Sequence, residues 1–203
     1  MTSFDGTAGW HAALQELVDM KNAGCLGPAS AGTSAIAADA EFAQGQALMY
    51  FNASSHKGTI DAGDTQFTYS EHPFPAGSKP GRSVASTGST LELAVNARVS
   101  VQNQAAAQQF VDFVARPKQD ALFARLLGNV TQYQFLHGQL PANLAGFAPA
   151  LAAHEYALNP ELTWWNPGVA MALNQDGVGL ITGQTSIDDV LNAMDAAWKQ
   201  GPS

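Results

Sequence analysis

Positive charge is scarce in this chain. Lys and Arg together number nine, against 17 Asp and Glu, which leaves a net charge of -8 at pH 7. A protein that binds the phosphates of DNA or RNA needs a basic face, and so does one that binds an anionic membrane surface. The composition therefore argues against both partners. With 13% charged and 46% hydrophobic residues, it is typical of a globular protein rather than of a disordered chain or a coiled coil.

Cysteine is almost absent as well, because Cys25 is the only one. No internal disulfide and no multi-cysteine metal site can form. The triplet Ala23-Gly24-Cys25 is superficially similar to a lipoprotein cleavage site. The preceding LQELVDMKN, however, is charged and amphipathic, where a signal peptide needs an unbroken apolar run. We therefore expect Cys25 to be a small, partly buried residue just past a helix.

Long apolar runs are also missing. No stretch approaches the roughly 20 apolar residues that span a membrane, and no export signal follows Met1. Taken alone, these two absences would suggest a cytoplasmic protein. The length of 203 residues allows one large domain or two small ones.

Familiar catalytic and cofactor motifs do not occur. No two histidines fall three or four positions apart, so no helix presents paired imidazoles to zinc. The glycines of GVGLITG are spaced wrongly for a dinucleotide fold, and GSKPGRS lacks the ending of a phosphate-binding loop. Adjacent Asp188 and Asp189 are explained by the positive end of a helix dipole. We therefore expect no metal, no other cofactor and no catalytic residues.

Apolar spacing predicts a mainly helical chain with a few short strands. The predicted helices cover about 10–21, 35–43, 105–115, 119–128, 142–154, 167–182 and 186–198. The predicted strands are 47–51, 66–70 and 91–95. The Pro/Gly/Ser-rich segment 72–90 is the best candidate for a linker or crossover. In the last helix, Ser186 and Asp189 form a variant of the capping box, ahead of a buried apolar stripe. That stripe consists of Ile187, Val190, Leu191, Met194 and Trp198.

The stretch NPELTWWNPG places Trp164 and Trp165 between two prolines. Each proline removes a backbone donor, so the segment is predicted to be irregular. Asn166 followed by Pro167 predicts the start of the next helix. Two interpretations of the tryptophans remain open. They are packing residues, one buried and one half-exposed, or at least one of them contacts a ligand.

The order of these pieces resembles a known family. Its most specific parts are FAQGQALM at 42–49 and GQTSIDDVL at 183–191, with LELAVNA and AAAQQFVDFVARP between them. From about Trp10 to Trp198 the chain resembles the extracellular solute-binding proteins of bacterial ABC importers, specifically the carbohydrate-binding family that includes maltose-binding protein. The resemblance implies an α/β fold, the helix-rich portion of a periplasmic-binding-protein type II clamshell whose two lobes close around a sugar or oligosaccharide. It also implies delivery of that sugar to a membrane permease.

Members of that family have two lobes totalling about 400 residues, and this chain resembles only the second half. The resemblance assigns residues 1–75 and 136–203 to the C-terminal lobe and residues 76–135, a crossover segment, to the N-terminal lobe. The chain is then expected to be a fragment of an extracytoplasmic protein, periplasmic or anchored as a lipoprotein. Because a half-molecule exposes strand edges and apolar faces, we also expect it to self-associate.

The resemblance further implies a ligand site. Sugars present flat C–H faces and hydroxyls, which suit aromatic faces and small polar side chains. The implied residues lie in the loop before the penultimate helix, in the loop after the strand predicted at 47–51, and ahead of LELAV. They are Trp164, Trp165, Asn52, Ser54, Ser55, His56, Thr87, Gly88 and Ser89. A flexible turn explains the last three nearly as well. Related proteins often carry an aromatic residue near Ser55, so the identity of the sugar stays open.

Two other functions compete with solute binding. A carbohydrate hydrolase with a similar aromatic platform would need two carboxylates about 5 to 9.5 Å apart. The acidic residues of this chain, however, lie mostly at helix starts and on solvated faces. A non-catalytic interaction module without a ligand is the third possibility. The sequence favours a binding protein that is not an enzyme.

Overall fold

The computed structural model describes residues 3–75, 83–88, 93–131, 134–135 and 137–202. The chain divides into two compact units. The terminal unit comprises Met1–Ser34 and Asn159–Ser203, and the central unit comprises Ala35–Leu158. The assignment of 1–75, 76–135 and 136–203 to lobes of a clamshell stays a prediction.

Helices dominate the described residues. In chain order they are α1 (Ala8–Asn22), α2 (Ala35–Ala43), α3 (Lys57–Ala62), α4 (Val101–Val114), α5 (Pro117–Leu126), α6 (Ala148–Ala152), α7 (Gly168–Thr182) and α8 (Ile187–Lys199). Short 3-10 helices cover Ser54–His56, Ala142–Phe147 and Pro160–Thr163. The strands are β1 (Phe74–Pro75), β2 (Ser83–Thr87) and β3 (Tyr156–Leu158).

The core of the terminal unit is built on α8, the most amphipathic segment of the sequence. Its residues Val190, Leu191 and Met194 are completely buried and pack with Phe4 and with Val169 of α7. These positions recur every three or four residues, which places them on one face of the helix. The apolar stripe predicted for this helix is confirmed, with its two end residues partly buried against the same core.

Caps fix the ends of these helices. The Ser186 hydroxyl accepts a hydrogen bond from the Asp189 amide at 3.2 Å, and the Asp189 carboxylate accepts one from the Ser186 amide at 2.8 Å. The predicted capping box is therefore confirmed. Asn166 is buried, and its Oδ1 accepts from the Gly168 amide at 2.8 Å. Helix α7 thus begins at Gly168, one residue later than predicted from Pro167.

A small mixed sheet lies in the central unit, in the order β1-β2-β3. β1 pairs with β2 antiparallel, with Phe74 opposite Val84. β2 pairs with β3 parallel, with Ala85 opposite Tyr156. A parallel pair needs a long crossover, and here the crossover contains helices. Helices together with this sheet are compatible with the α/β class, and the two-lobed clamshell stays a proposal.

The predicted strands at 47–51 and 66–70 are wrong, because neither segment is a strand in the structure. Leu48 and Met49 are 100% and 87% exposed, so among the described residues nothing covers or pairs with this apolar run. Residues 93–95 are not a strand either, and 91–92 fall outside the described residues. β1 and β2 form instead within 72–90, the segment predicted as a linker. A strand requires a neighbour, which the periodicity of one segment cannot reveal.

Two smaller expectations are also corrected. The helix predicted at 142–154 is a 3-10 helix followed by the short α6, and Pro149 lies in the first turn of α6. Because proline lacks an amide hydrogen, it fits the first turn of a helix but not its interior, so one continuous helix is disfavoured. Cys25 is exposed rather than partly buried. It lies one residue past Gly24, whose φ of +74° ends α1.

Candidate functional site

Four predicted site residues lie together in the central unit, on a segment that we call the 52–56 turn (Asn52–His56). The Asn52 amide donates to the hydroxyl of Tyr50 and accepts from the Ala53 amide at 2.8 Å. Ser54, Ser55 and His56 form a 3-10 helix that leads into α3. The turn therefore places these four polar side chains directly ahead of α3.

The Ser54 hydroxyl anchors this turn to a distant part of the chain. Its Oγ donates to Oδ1 of Asn129 at 3.2 Å. The same neighbourhood contains Gly128, at a φ of +67°, where an added Cβ would lie 2.7 Å from the Ser54 carbonyl oxygen. Only glycine combines that backbone conformation with so close an approach. The turn is therefore held from outside as well as by its own hydrogen bonds.

A buried acid, Asp39, contacts the last residue of the turn, His56. Asp39 lies on α2 and is only 2% exposed. Nδ1 of His56 lies 3.0 Å and 2.9 Å from the two carboxylate oxygens of Asp39. A buried carboxylate is stable only when it is paired, and the imidazole provides that partner. Sequence reasoning missed Asp39, although its place between alanines in the apolar helix AIAADAEFA was a signal that it would be buried.

Tyr50 extends this hydrogen-bond network. Burial raises the pKa of its phenol, the hydrogen bond from Asn52 works against that shift, and the neighbouring Asp39 adds to it. Its hydroxyl also donates to the carbonyl oxygen of Ala35 at 3.4 Å. Because the pKa is raised from an already high value, Tyr50 stays a neutral hydroxyl near pH 7.

The helix that follows the turn is fixed by a second polar network. Nζ of Lys57 lies 2.6 Å from a carboxylate oxygen of Asp61, and the Tyr69 hydroxyl donates to the other oxygen at 2.7 Å. Hydrogen bonds from Lys57 and Tyr69 hold the pKa of Asp61 below its usual value. Burial and the bond to Asp61 raise the pKa of Tyr69 to about 12. Because the ion pair is largely solvated, its contribution to stability is modest.

Glu71 is a further acid of the central unit. Its Oε1 accepts a hydrogen bond from the Asn143 side-chain amide at 2.9 Å. Burial nevertheless raises the pKa of Glu71, because desolvation disfavours the charged form more than this bond favours it.

We expect Glu71→Gln to raise the melting temperature near pH 7. The stability contributed by a carboxyl whose pKa is raised on folding is fully present below its unfolded pKa and is lost as the pH rises through the folded pKa. Glutamine keeps the acceptor for Asn143 and carries no charge. The gain should disappear when unfolding is measured near pH 3.5, below the unfolded pKa of about 4.3. The control is Glu41→Gln, an exposed acid of the same unit. A gain that persisted at the lower pH would contradict the burial argument.

The remaining predicted polar residues lie at the end of β2. The Thr87 hydroxyl donates to the carbonyl oxygen of Ala157 at 3.3 Å, across the parallel pair with β3. Gly88 follows immediately after the strand. Ser89 lies outside the described residues. Their role in ligand binding stays a prediction, as does that of the 52–56 turn.

The two tryptophans differ in their surroundings within the terminal unit. Trp164 packs against the core, with ring centroids 5.7 Å from Phe4 and 6.0 Å from Trp10. Trp165 is 52% exposed and stacks on Trp198 with centroids 4.6 Å apart. A flat aromatic face supported from behind and open to solvent is suited to the C–H face of a sugar. Trp165 has the more suitable environment for that contact, and ligand binding by either residue stays a prediction.

One group of side chains in the described part of the chain could approach a metal ion. Asp5, His11 and Asp188 offer ligand atoms that lie within 4.8 Å of one another, and Nε2 of His11 is 3.1 Å from Asp5. Both carboxylates are exposed, and exposed acids next to a histidine commonly occur without any ion. Histidine spacing could not reveal this group, because its members come from opposite ends of the sequence. The expectation that no metal is required stays a prediction.

Comparison with known proteins identifies the class of molecule. A model of the bacterial extracellular solute-binding protein family matches residues 2–134. Because that match covers more than half of the chain, the chain belongs to this family, and the resemblance drawn from the sequence is confirmed. The matched range contains the 52–56 turn, Asp39 and Thr87, and it ends before the tryptophan pair. A search of curated proteins finds no match.

Membership of the family has general consequences. Its members bind solutes outside the cytoplasm, and the family is generally not enzymatic. Such proteins act with ABC importers. Within the described ranges, no helix is both long enough and apolar enough to cross a membrane.

Proposed function

We propose that this chain is part of the substrate-binding component of an ABC importer and that it binds a sugar or oligosaccharide. The observation that supports this most is the family match over residues 2–134, which includes the polar 52–56 turn. The residues proposed to contact the sugar are Asn52, Ser54, Ser55, His56, Thr87, Gly88, Ser89, Trp164 and Trp165.

The chemistry of these residues suits a sugar. Asn52 and the serines are short polar groups that can donate and accept hydrogen bonds, as a ring of hydroxyls requires. The exposed face of Trp165 provides a stacking surface. In the proposal the solute is bound between two lobes of the full-length protein and handed to a permease unchanged. Closure around the ligand would allow the permease to distinguish loaded from empty protein.

The proposed location follows from the same family. We propose that the full-length protein acts outside the cytoplasm, in the periplasm or as a lipoprotein at the cell surface. We propose that solute binding there requires no cofactor.

Isothermal titration of the full-length protein with a panel of neutral mono- and oligosaccharides tests the proposal. We expect saturable binding of at least one sugar, with a single site per chain and no conversion of the sugar when the mixture is analysed by chromatography. Amino acids and short peptides serve as the comparison ligands. Binding of these alone, or release of cleaved sugar, would contradict the proposed solute class and mode of action.

A further inference from the structure

We infer that Asp39 holds His56 in one tautomer, with Nε2 as a hydrogen-bond acceptor for the solute, and that the site therefore takes a neutral hydroxyl-bearing ligand rather than an anion. This inference rests on the proposed function and specifies the ligand chemistry of the same site. Asp39 acts through His56 and does not itself contact the ligand, so it is a positioning residue.

The tautomer follows from the geometry around Nδ1. That nitrogen lies within hydrogen-bond distance of both oxygens of the Asp39 carboxylate, at 3.0 Å and 2.9 Å. An ionised carboxylate can only accept hydrogen bonds, so Nδ1 must carry the proton. In the neutral imidazole the other nitrogen, Nε2, then carries a lone pair. A carboxylate behind a histidine also fixes the orientation of its ring.

The Nε2 atom is available to a ligand. It makes no hydrogen bond with any residue that the structure describes. Among those residues no side-chain nitrogen or oxygen is both fully buried and unpaired. Nε2 must therefore reach solvent, in agreement with the 28% exposure of the His56 side chain. A solvent-accessible acceptor whose ring is fixed from behind is suited to receive a hydroxyl donor.

Local charge argues against an anionic solute. Asp39 places a buried negative charge directly behind the imidazole. Lys57, the cation next to the turn in sequence, has its ammonium engaged by Asp61 at 2.6 Å and by the Tyr69 hydroxyl at 3.4 Å. With the imidazole in its neutral form, an incoming carboxylate or phosphate would meet the lone pair of Nε2 and the nearby carboxylate of Asp39, whereas a hydroxyl group would donate its hydrogen to Nε2.

The tautomer can be measured without any ligand. Two-dimensional ¹⁵N–¹H spectra of the imidazole rings, recorded on the uniformly labelled chain, distinguish the two neutral tautomers, and His56→Asn identifies the signals of His56. We expect the Nδ1–H form for His56 in the native chain and its loss in Asp39→Ala. Glu41→Gln, on the same helix and exposed, is the matched control and should leave the spectrum of His56 unchanged. An Nε2–H form, or a ring protonated on both nitrogens, in the native chain near pH 7 would overturn the inference.

His56→Asn separates ligand binding from folding. Its shorter amide can still donate to Asp39, so the buried acid keeps a partner, but no acceptor remains at the position of Nε2. We expect this variant to keep the native melting temperature within about 3 °C and to bind neutral sugars at least about tenfold more weakly. His56→Gln, which carries an acceptor further along the side chain, should recover part of the affinity.

The titrations use glucose and maltose as neutral probes, with glucuronate and inorganic phosphate as anionic ones. Tighter binding of the neutral probes, weakened by His56→Asn, supports the inference. Preferential binding of glucuronate or phosphate, or unchanged sugar affinity in His56→Asn, would overturn it. Full-length protein that binds none of these probes would count against both the proposed function and the role of Nε2 as a ligand acceptor, while the spectra would still decide the role of Asp39.

Discussion

Leu191→Ala is expected to lower the free energy of unfolding by about 2–5 kcal/mol. The leucine is completely buried in α8, among Phe4, Val169 and Met194. Removing three carbons from such a position forfeits the free energy of burying them and leaves a cavity that the surrounding helices fill only in part. Because the interaction between α7 and α8 makes up most of this core, little else in the terminal unit can compensate.

Tryptophan fluorescence during urea unfolding measures this effect selectively. All four tryptophans of the chain, Trp10, Trp164, Trp165 and Trp198, belong to the terminal unit. Met171→Ala is the matched control, because Met171 is 69% exposed on α7 and should change the free energy by less than about 0.5 kcal/mol. Equal effects of the two substitutions would mean that Leu191 is not a core residue.

The sequence predicted the elements whose signal is local. Helix α8 has a capping box, an apolar stripe and an acidic first turn, which all indicate the same element, and the structure confirms it. Helix α2 lies at the predicted residues 35–43. Agreement between capping, periodicity and charge is what makes such a segment adopt one structure in most surroundings.

Features that depend on distant parts of the chain could not be predicted in the same way. The apolar run around Leu48 and Met49 reads as a strand, yet it has no strand neighbour in the described structure. The parallel pairing of β2 with β3 joins residues about 70 positions apart, and nothing in either short segment indicates the other. Nor does any spacing rule connect Asp39 with His56, whose pairing depends on how α2 packs beside the 52–56 turn.

Only part of the candidate site could be proposed from the sequence, because the rest depends on contacts between distant residues. Resemblance to the family directed attention to Asn52, Ser54, Ser55 and His56, and the structure places their side chains on one short turn. It added Asp39, which the sequence analysis did not single out. A buried acid becomes recognisable as part of a site only when its partner is known.

The tryptophan pair allows the strongest separation of stability from ligand binding. Trp164→Ala is expected to lower the free energy of unfolding of the terminal unit by about 2–4 kcal/mol, because its ring packs edge-on against Phe4 and beside Trp10 in the core. Trp165→Ala removes a half-exposed ring that stacks on Trp198, so its effect on stability should stay below about 1.5 kcal/mol.

Trp164→Ala should have the larger effect on stability, whereas Trp165→Ala should have the larger effect on sugar binding. In the full-length protein, Trp165→Ala is expected to weaken binding by about 1–3 kcal/mol, since an exposed aromatic face that stacks on a sugar loses its contact area on truncation. Trp165→Phe keeps an aromatic face and should recover part of that loss, which separates stacking from a general disturbance of the loop. Calorimetry and urea unfolding on the same preparations provide both quantities. If Trp165→Ala leaves the affinity unchanged and lowers the melting temperature as much as Trp164→Ala does, both rings serve only to pack the terminal unit, and the solute is bound by other residues.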